Sequence, residues 1–186
     1  MDLDFLNAPL SPPGSMSGRE LDAALDQIVT MAERNQFAQA GHAAAQLWKE
    51  HIYDARTIGV LLFAAFSEKG MAALGDIFAA AQSILAVHWP MIGPEPNRNR
   101  HADSSLRWLA TSIISHFRFS QKLNPSEWQK LLRDWEGANQ GLAFTQLAQL
   151  LSACEMPLPM GQAKASLSQL LKVLRECYAL QFALLF

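Results

Sequence analysis

With 186 residues, 50% of them hydrophobic and only 17% charged, the chain is long enough for one substantial core and has little charge to face water. A formal net charge of −2 supplies no field that would gather nucleic acid or an anionic lipid surface, so neither partner is expected. Cys154 and Cys177 show no CxxC spacing and no companion histidine at zinc-ligand spacing, which points to two buried thiols in a reducing compartment.

The first 16 residues carry Pro9, Pro12, Pro13 and Gly14 and cannot hold a helix. They read as an extended arm over 1–16, ahead of a single helical domain over 17–186. Asp2 and Asp4 stand where a signal peptide would carry basic residues and no apolar run follows, so a cytoplasmic location is expected. Ser17-Gly18-Arg19-Glu20 is a capping box that opens a first helix to about Arg34, with Leu21, Leu25, Ile28 and Val29 as its apolar stripe. Asn35 is placed to cap a second helix to about His51, bearing Phe37, Ala40, Ala44, Leu47 and Trp48 on one side.

The stretch from Asp54 to Pro90 reads as two helices joined by a glycine turn. From Ile58 to Phe66 nearly every position is apolar, which suits a buried central helix over about 54–69, too short to cross a bilayer. Its partner carries Leu74, Ile77, Phe78, Ala81, Ile84, Leu85 and His88 at amphipathic spacing, with one face for the central helix and the other for solvent or a neighbour. Asp54 is placed to cap the central helix, and Arg56, at the unfavourable end of its dipole, predicts a carboxylate partner from another helix.

After His88-Trp89-Pro90 comes a proline-punctuated loop, and Asp103 or Ser104 is expected to cap the next helix, with the stripe Leu106, Leu109, Ile113 and Phe117. Asn124-Pro125-Ser126-Glu127 starts a short helix offering Trp128, Leu131, Leu132 and Trp135. Gly137 and Gly141 bound a turn, a further helix covers about Leu142 to Ala153, and Pro157 and Pro159 stop it. A final helix sets Leu167, Leu170, Leu171, Leu174, Tyr178 and Leu185 in register. The expectation is an all-α bundle of roughly eight helices packed as antiparallel pairs around the central one.

Reactive constellations are sparse. None of the five histidines, His42, His51, His88, His101 and His116, makes an HExxH motif or stands four residues from another, and no serine sits in a GxSxG elbow. No catalytic residue, metal ligand or cofactor is assigned. His101 beside Asp103, read as a loop pair, is the one arrangement that would suit a small hydrolase or a metal-dependent enzyme. Of the five tryptophans, Trp48, Trp89 and Trp108 are expected in the core, with Trp108 packed on the Trp89-Pro90 corner. Trp128 and Trp135 are held open between core and interface. The apolar end from Tyr178 through Phe182 to Phe186 could dock on the domain, pair with another copy as a dimer seam, or mark the junction to a longer protein.

The segment from Asp54 to about Leu109 resembles the ImpA-type N-terminal domain of TssA-like proteins of the bacterial type VI secretion system. The resemblance rests on Asp54-Ala55-Arg56 opening an apolar helix, Gly70, the Leu74-to-Leu85 helix, His88-Trp89-Pro90, Arg100 and Leu106-Arg107-Trp108-Leu109. The structural signature is therefore Asp54, Arg56, Trp89, Pro90, Arg100 and Trp108. The resemblance implies a non-enzymatic module that organises the contractile tail at the baseplate or caps the sheath, with baseplate, tail-tube and sheath proteins as partners. Family members commonly continue into C-terminal segments that oligomerise, so the resemblance also implies a fragment or a short member.

Overall fold

The computed structural model describes residues 1–6, 8–135, 138–158 and 161–183. Within them the chain folds as an all-α bundle of α1 (Gly18–Glu33), α2 (Phe37–Lys49), α3 (Ile58–Lys69), α4 (Leu74–Ala86), α5 (Arg98–Leu123), α6 (Pro125–Asp134), α7 (Ala138–Ala153) and α8 (Ala163–Ala183). Gly137, Pro159, Leu185 and Phe186 lie outside the described residues.

The capping box forms as the sequence dictates. The Ser17 hydroxyl accepts the Glu20 N–H, while the Glu20 carboxylate accepts from the Ser17 hydroxyl at 2.6 Å and from the Ser17 N–H at 3.2 Å, and these two bonds to the carboxylate, the hydroxyl's first, lower the Glu20 pKa. Asn35 behaves otherwise than expected: it ends α1 in place of capping α2. With φ at 58° it occupies the left-handed region, its N–H bonds Ala32 O at 3.0 Å and the Gln36 N–H bonds Met31 O at 2.9 Å. His51, φ 64°, ends α2 in the same way, with N–H bonds from His51 to Trp48 O and from Ile52 to Leu47 O. Both are the reverse turn that satisfies the last carbonyls of a helix, and Asn and His are among the few residues that tolerate it without a glycine.

Helix α3 is the sequestered centre: Ile58, Gly59 and every residue from Leu61 to Phe66 are buried, and Val60 alone among its apolar residues is half-exposed. The stretch Ala55–Ala86 is long and apolar enough by composition to cross a membrane, and 67% of its most apolar window is buried inside the protein. A turn at Gly70 divides it into α3 of 12 residues and α4 of 13, each short of the roughly 20 a bilayer requires. Helix α4 is also covered by α7, against which Gly75 brings the backbone close to Leu142.

The packed pairs differ in sense. Gly41 faces Ala64 while Trp48 reaches Thr57, so α2 and α3 are antiparallel. Gly59 meets Ser105, Phe63 meets Trp108 and Phe66 meets Phe117, which sets α3 and α5 parallel. Asp103 meets Ala163, while Phe117 and Arg118 share a cavity with Val173 and Cys177, which sets α5 and α8 parallel as well. Long connections permit this, where a tight helical hairpin would not.

The proline-rich arm is not wholly extended. Asp4–Leu6 makes a 3₁₀ turn, Leu3 and Leu6 are buried, and the Met1 ammonium pairs with Glu68. His88, also buried, donates from Nε2 to the Leu6 carbonyl at 2.9 Å, and the Ser83 hydroxyl donates to the same oxygen at 3.2 Å.

Candidate functional site

The corner between α2 and α3 positions the residues of interest. Asp54, 2% exposed, accepts the Arg56 backbone N–H at 2.8 Å and clasps the Arg56 guanidinium through two further bonds, Nε to Oδ1 at 2.9 Å and Nη2 to Oδ2 at 2.7 Å. A fork-on-fork contact of this kind is both strong and directional. It pushes the Arg56 pKa up, with Asp54 as first cause. A carboxylate from another helix is also present: Asp22 of α1 stands 3.7 Å from Nη1. The corner is braced from beneath. The Trp48 indole donates to the Thr57 hydroxyl at 2.8 Å, and that hydroxyl donates to the Asp54 carbonyl at 2.7 Å. At Gly59 the N–H donates to Ser105 Oγ at 2.7 Å, and a Cβ there would overlap the Ser105 carbonyl, so glycine lets α3 and α5 approach.

Above this corner α1 rests on α2 and α5 rests on α3, and between α1 and α5 lies an open trough of about 580 Å³. One wall is the C-terminal half of α1, with Val29, Ala32 and Glu33. The other is a stripe along α5, His101, Ser104, Trp108 and Ser112, and the floor is Arg56, Val60 and Phe37. Val29, expected in the α1 core stripe, is 52% exposed on the rim, while Leu25 and Ile28 carry the burial. Burial, with the nearby Arg56 charge, lowers the His101 pKa against a smaller upward pull from Asp54.

Trp108 packs edge-on against Phe63, ring centroids 5.3 Å apart, and against Phe37 at 6.4 Å. Among the described residues its ring contacts are with these two phenylalanines and not with Trp89. Trp89 instead lies under Arg98, whose guanidinium carbon sits 4.7 Å from the ring centroid. Arg98 Nη1 donates to the Trp89 carbonyl at 2.8 Å and Nη2 pairs with Glu95 at 2.7 Å. Arg100, a residue of the resemblance signature, is exposed; the arginine that ties the proline loop down is Arg98. Pro90 occupies the first turn of a 3₁₀ segment at that corner.

Of the three tryptophans expected in the core, Trp48 is buried at 2% exposed and the other two are not, while both held open between core and interface belong to the core. Trp89 and Trp108 are half-exposed, whereas Trp128 is 7% and Trp135 0% exposed. The short helix α6 is wedged against α5 and α8, so neither of its indoles is offered to a partner. Of the other interface candidates, Phe186 and the Phe182 side chain lie outside the described residues, while Tyr178 and Leu180 of the same helix are 38% and 44% exposed.

The pairing of His101 with Asp103 does not form. Helix α5 begins at Arg98, so both residues are helical, and two positions apart they diverge around the axis. Asp103 caps a helix, though not its own: Oδ1 accepts the N–H of Ala163, the first residue of α8, at 2.8 Å. Gly161 leaves the room for it, since a Cβ there would overlap the carboxylate. Among the described residues no group of three or more His, Cys, Asp or Glu comes together that could hold a metal ion.

The chain matches no protein-family model, no curated protein and no solved structure.

Proposed function

We propose that this chain is a non-enzymatic assembly module of a bacterial type VI secretion system. It works in the cytoplasm by binding baseplate, tail-tube or sheath proteins, alone or as a homo-oligomer, to organise or cap the contractile tail. Support comes from the resemblance over Asp54 to Leu109, and from one observation that carries the reading. Two residues of that signature, Arg56 and Trp108, line one solvent-open trough, and a third, Asp54, holds the Arg56 guanidinium in place there. A set of packing residues that shapes a groove, with no reactive pair in it, suits recognition of another protein.

The test is co-expression with type VI sheath, tube and baseplate proteins from the same genome. Recovery of at least one of them as a stable complex is expected. Binding to none, together with normal sheath assembly after deletion of the chain, would overturn the reading.

A further inference from the structure

The trough has the proportions of a missing helix. Its α5 wall runs from His101 to Ser112, about 16 Å at helical rise, which is three turns. Helices α1 and α5 line it from opposite sides, each seated on a different member of the α2–α3 pair.

Its charge is polarised lengthwise. Asp22, in the early turns of α1, stands 3.7 Å from Arg56, and Ser105 of α5 meets Gly59 beside it, so the positive ends of α1 and α5 lie toward Arg56, and the exposed Arg100 lies at that same end. Asp54 and Asp22 answer part of this charge, yet Nη1 of Arg56 has only the exposed Asp22 at 3.7 Å, beyond hydrogen-bond length. The acid in the trough, Glu33, is at the far end, one turn beyond the half-exposed Val29.

We propose that the trough seats an amphipathic α-helix of a partner protein, lying antiparallel to α1 and α5, with its apolar side chains on Val29, Phe37, Val60 and Trp108. A carboxylate near the C-terminal end of that helix pairs with Arg56. The orientation follows from charge: the partner's negative end meets the three positive helix ends and Arg56, and its positive end meets Glu33. The inference rests on the protein-binding reading above and names its surface and the chemistry of the partner.

A displayed library of peptides about 16 residues long, selected on the intact protein, tests it. Enriched peptides should carry apolar residues at i, i+3 or i+4 and i+7, followed within a turn by Asp or Glu. Their affinity should fall at least about tenfold on Val29→Asp, an exposed rim change that the fold tolerates, and by a similar factor when the peptide's acid is exchanged for Lys. No enrichment, or enriched peptides that bind the Val29→Asp protein or tolerate the Lys exchange equally well, would overturn the proposal. Peptides captured at another surface would sink the trough and leave the assembly reading standing. Trough binding without recovery of any tail protein would do the reverse.

Discussion

The Asp103 carboxylate of α5 serves as the N-terminal cap of α8, accepting the Ala163 N–H at 2.8 Å across 60 positions of sequence. Asp103→Ala should cost about 1 kcal/mol, the usual loss for a helix cap, read as a lower urea midpoint with unchanged slope. Gly161→Ala should cost at least as much by driving the carboxylate away. Because both act on one contact, the double variant should lose less than the sum, and strict additivity would refute the shared cause.

Two buried indoles differ in their polar ends. Trp48 Nε1 donates to Thr57, whereas Trp135 Nε1 finds no acceptor among the described residues. Replacement by Phe removes similar volume at both sites, but only at Trp48 does it also break a hydrogen bond and loosen the Asp54 corner. Trp48→Phe should therefore be the more destabilising, by about 1–2 kcal/mol, in matched chemical denaturation.

Stability should fall with acidification in the histidine range. Burial lowers the His116 pKa from its ordinary 6.5, opposed by a smaller upward pull from Glu127, and burial with the Arg56 charge lowers that of His101. A depressed native value means that the unfolded chain takes up the proton first. The stabilising contribution is thus whole above about pH 6.5 and is lost as pH falls through the native values. The unfolding midpoint should drop between about pH 7.5 and about pH 5.5, and the pair His101→Gln with His116→Gln should flatten that slope.

The thiols should be silent until the protein unfolds. Burial pushes Cys154 up to about 11 and Cys177 to about 12, leaving almost no thiolate at neutral pH. A thiol reagent should label neither in the native protein and both in urea. Rapid native labelling of either would contradict its burial.

Leu6 should count as core despite its place in the arm. It is 0% exposed, so Leu6→Ala should cost about 2–5 kcal/mol, as for a leucine inside a helix bundle. An effect under about 0.5 kcal/mol would mean that the arm is loosely attached.

The all-α class, the glycine turn and the sealed α3 were legible because apolar periodicity reports burial directly. Caps were legible only where donor and acceptor are neighbours in sequence. The Ser17 box and the Asn124 cap, with Asn124 Oδ1 taking the Glu127 N–H at 3.3 Å, follow from local spacing. Asp103 looked like a local cap too, but its amide comes from a helix 60 residues on. Trp128 and Trp135, open between core and interface in the sequence, are core because α6, peripheral in sequence, is wedged against α5 and α8 in space, while Trp89 and Trp108 stay half-exposed. The trough was invisible because its walls belong to α1 and α5, and only Val29, apolar yet on the rim, hinted at it.

The parallel alignment of α5 and α8 bears on how the chain is made. Their shared contacts cannot form until α6 and α7 have been synthesised and the polypeptide has looped back, so this closure carries a long-loop entropic cost and comes late. A nascent chain that has reached Leu123 but not Leu174 leaves the flank of α5 destined for α8 bare, and that interval is when chaperone capture or aggregation would strike.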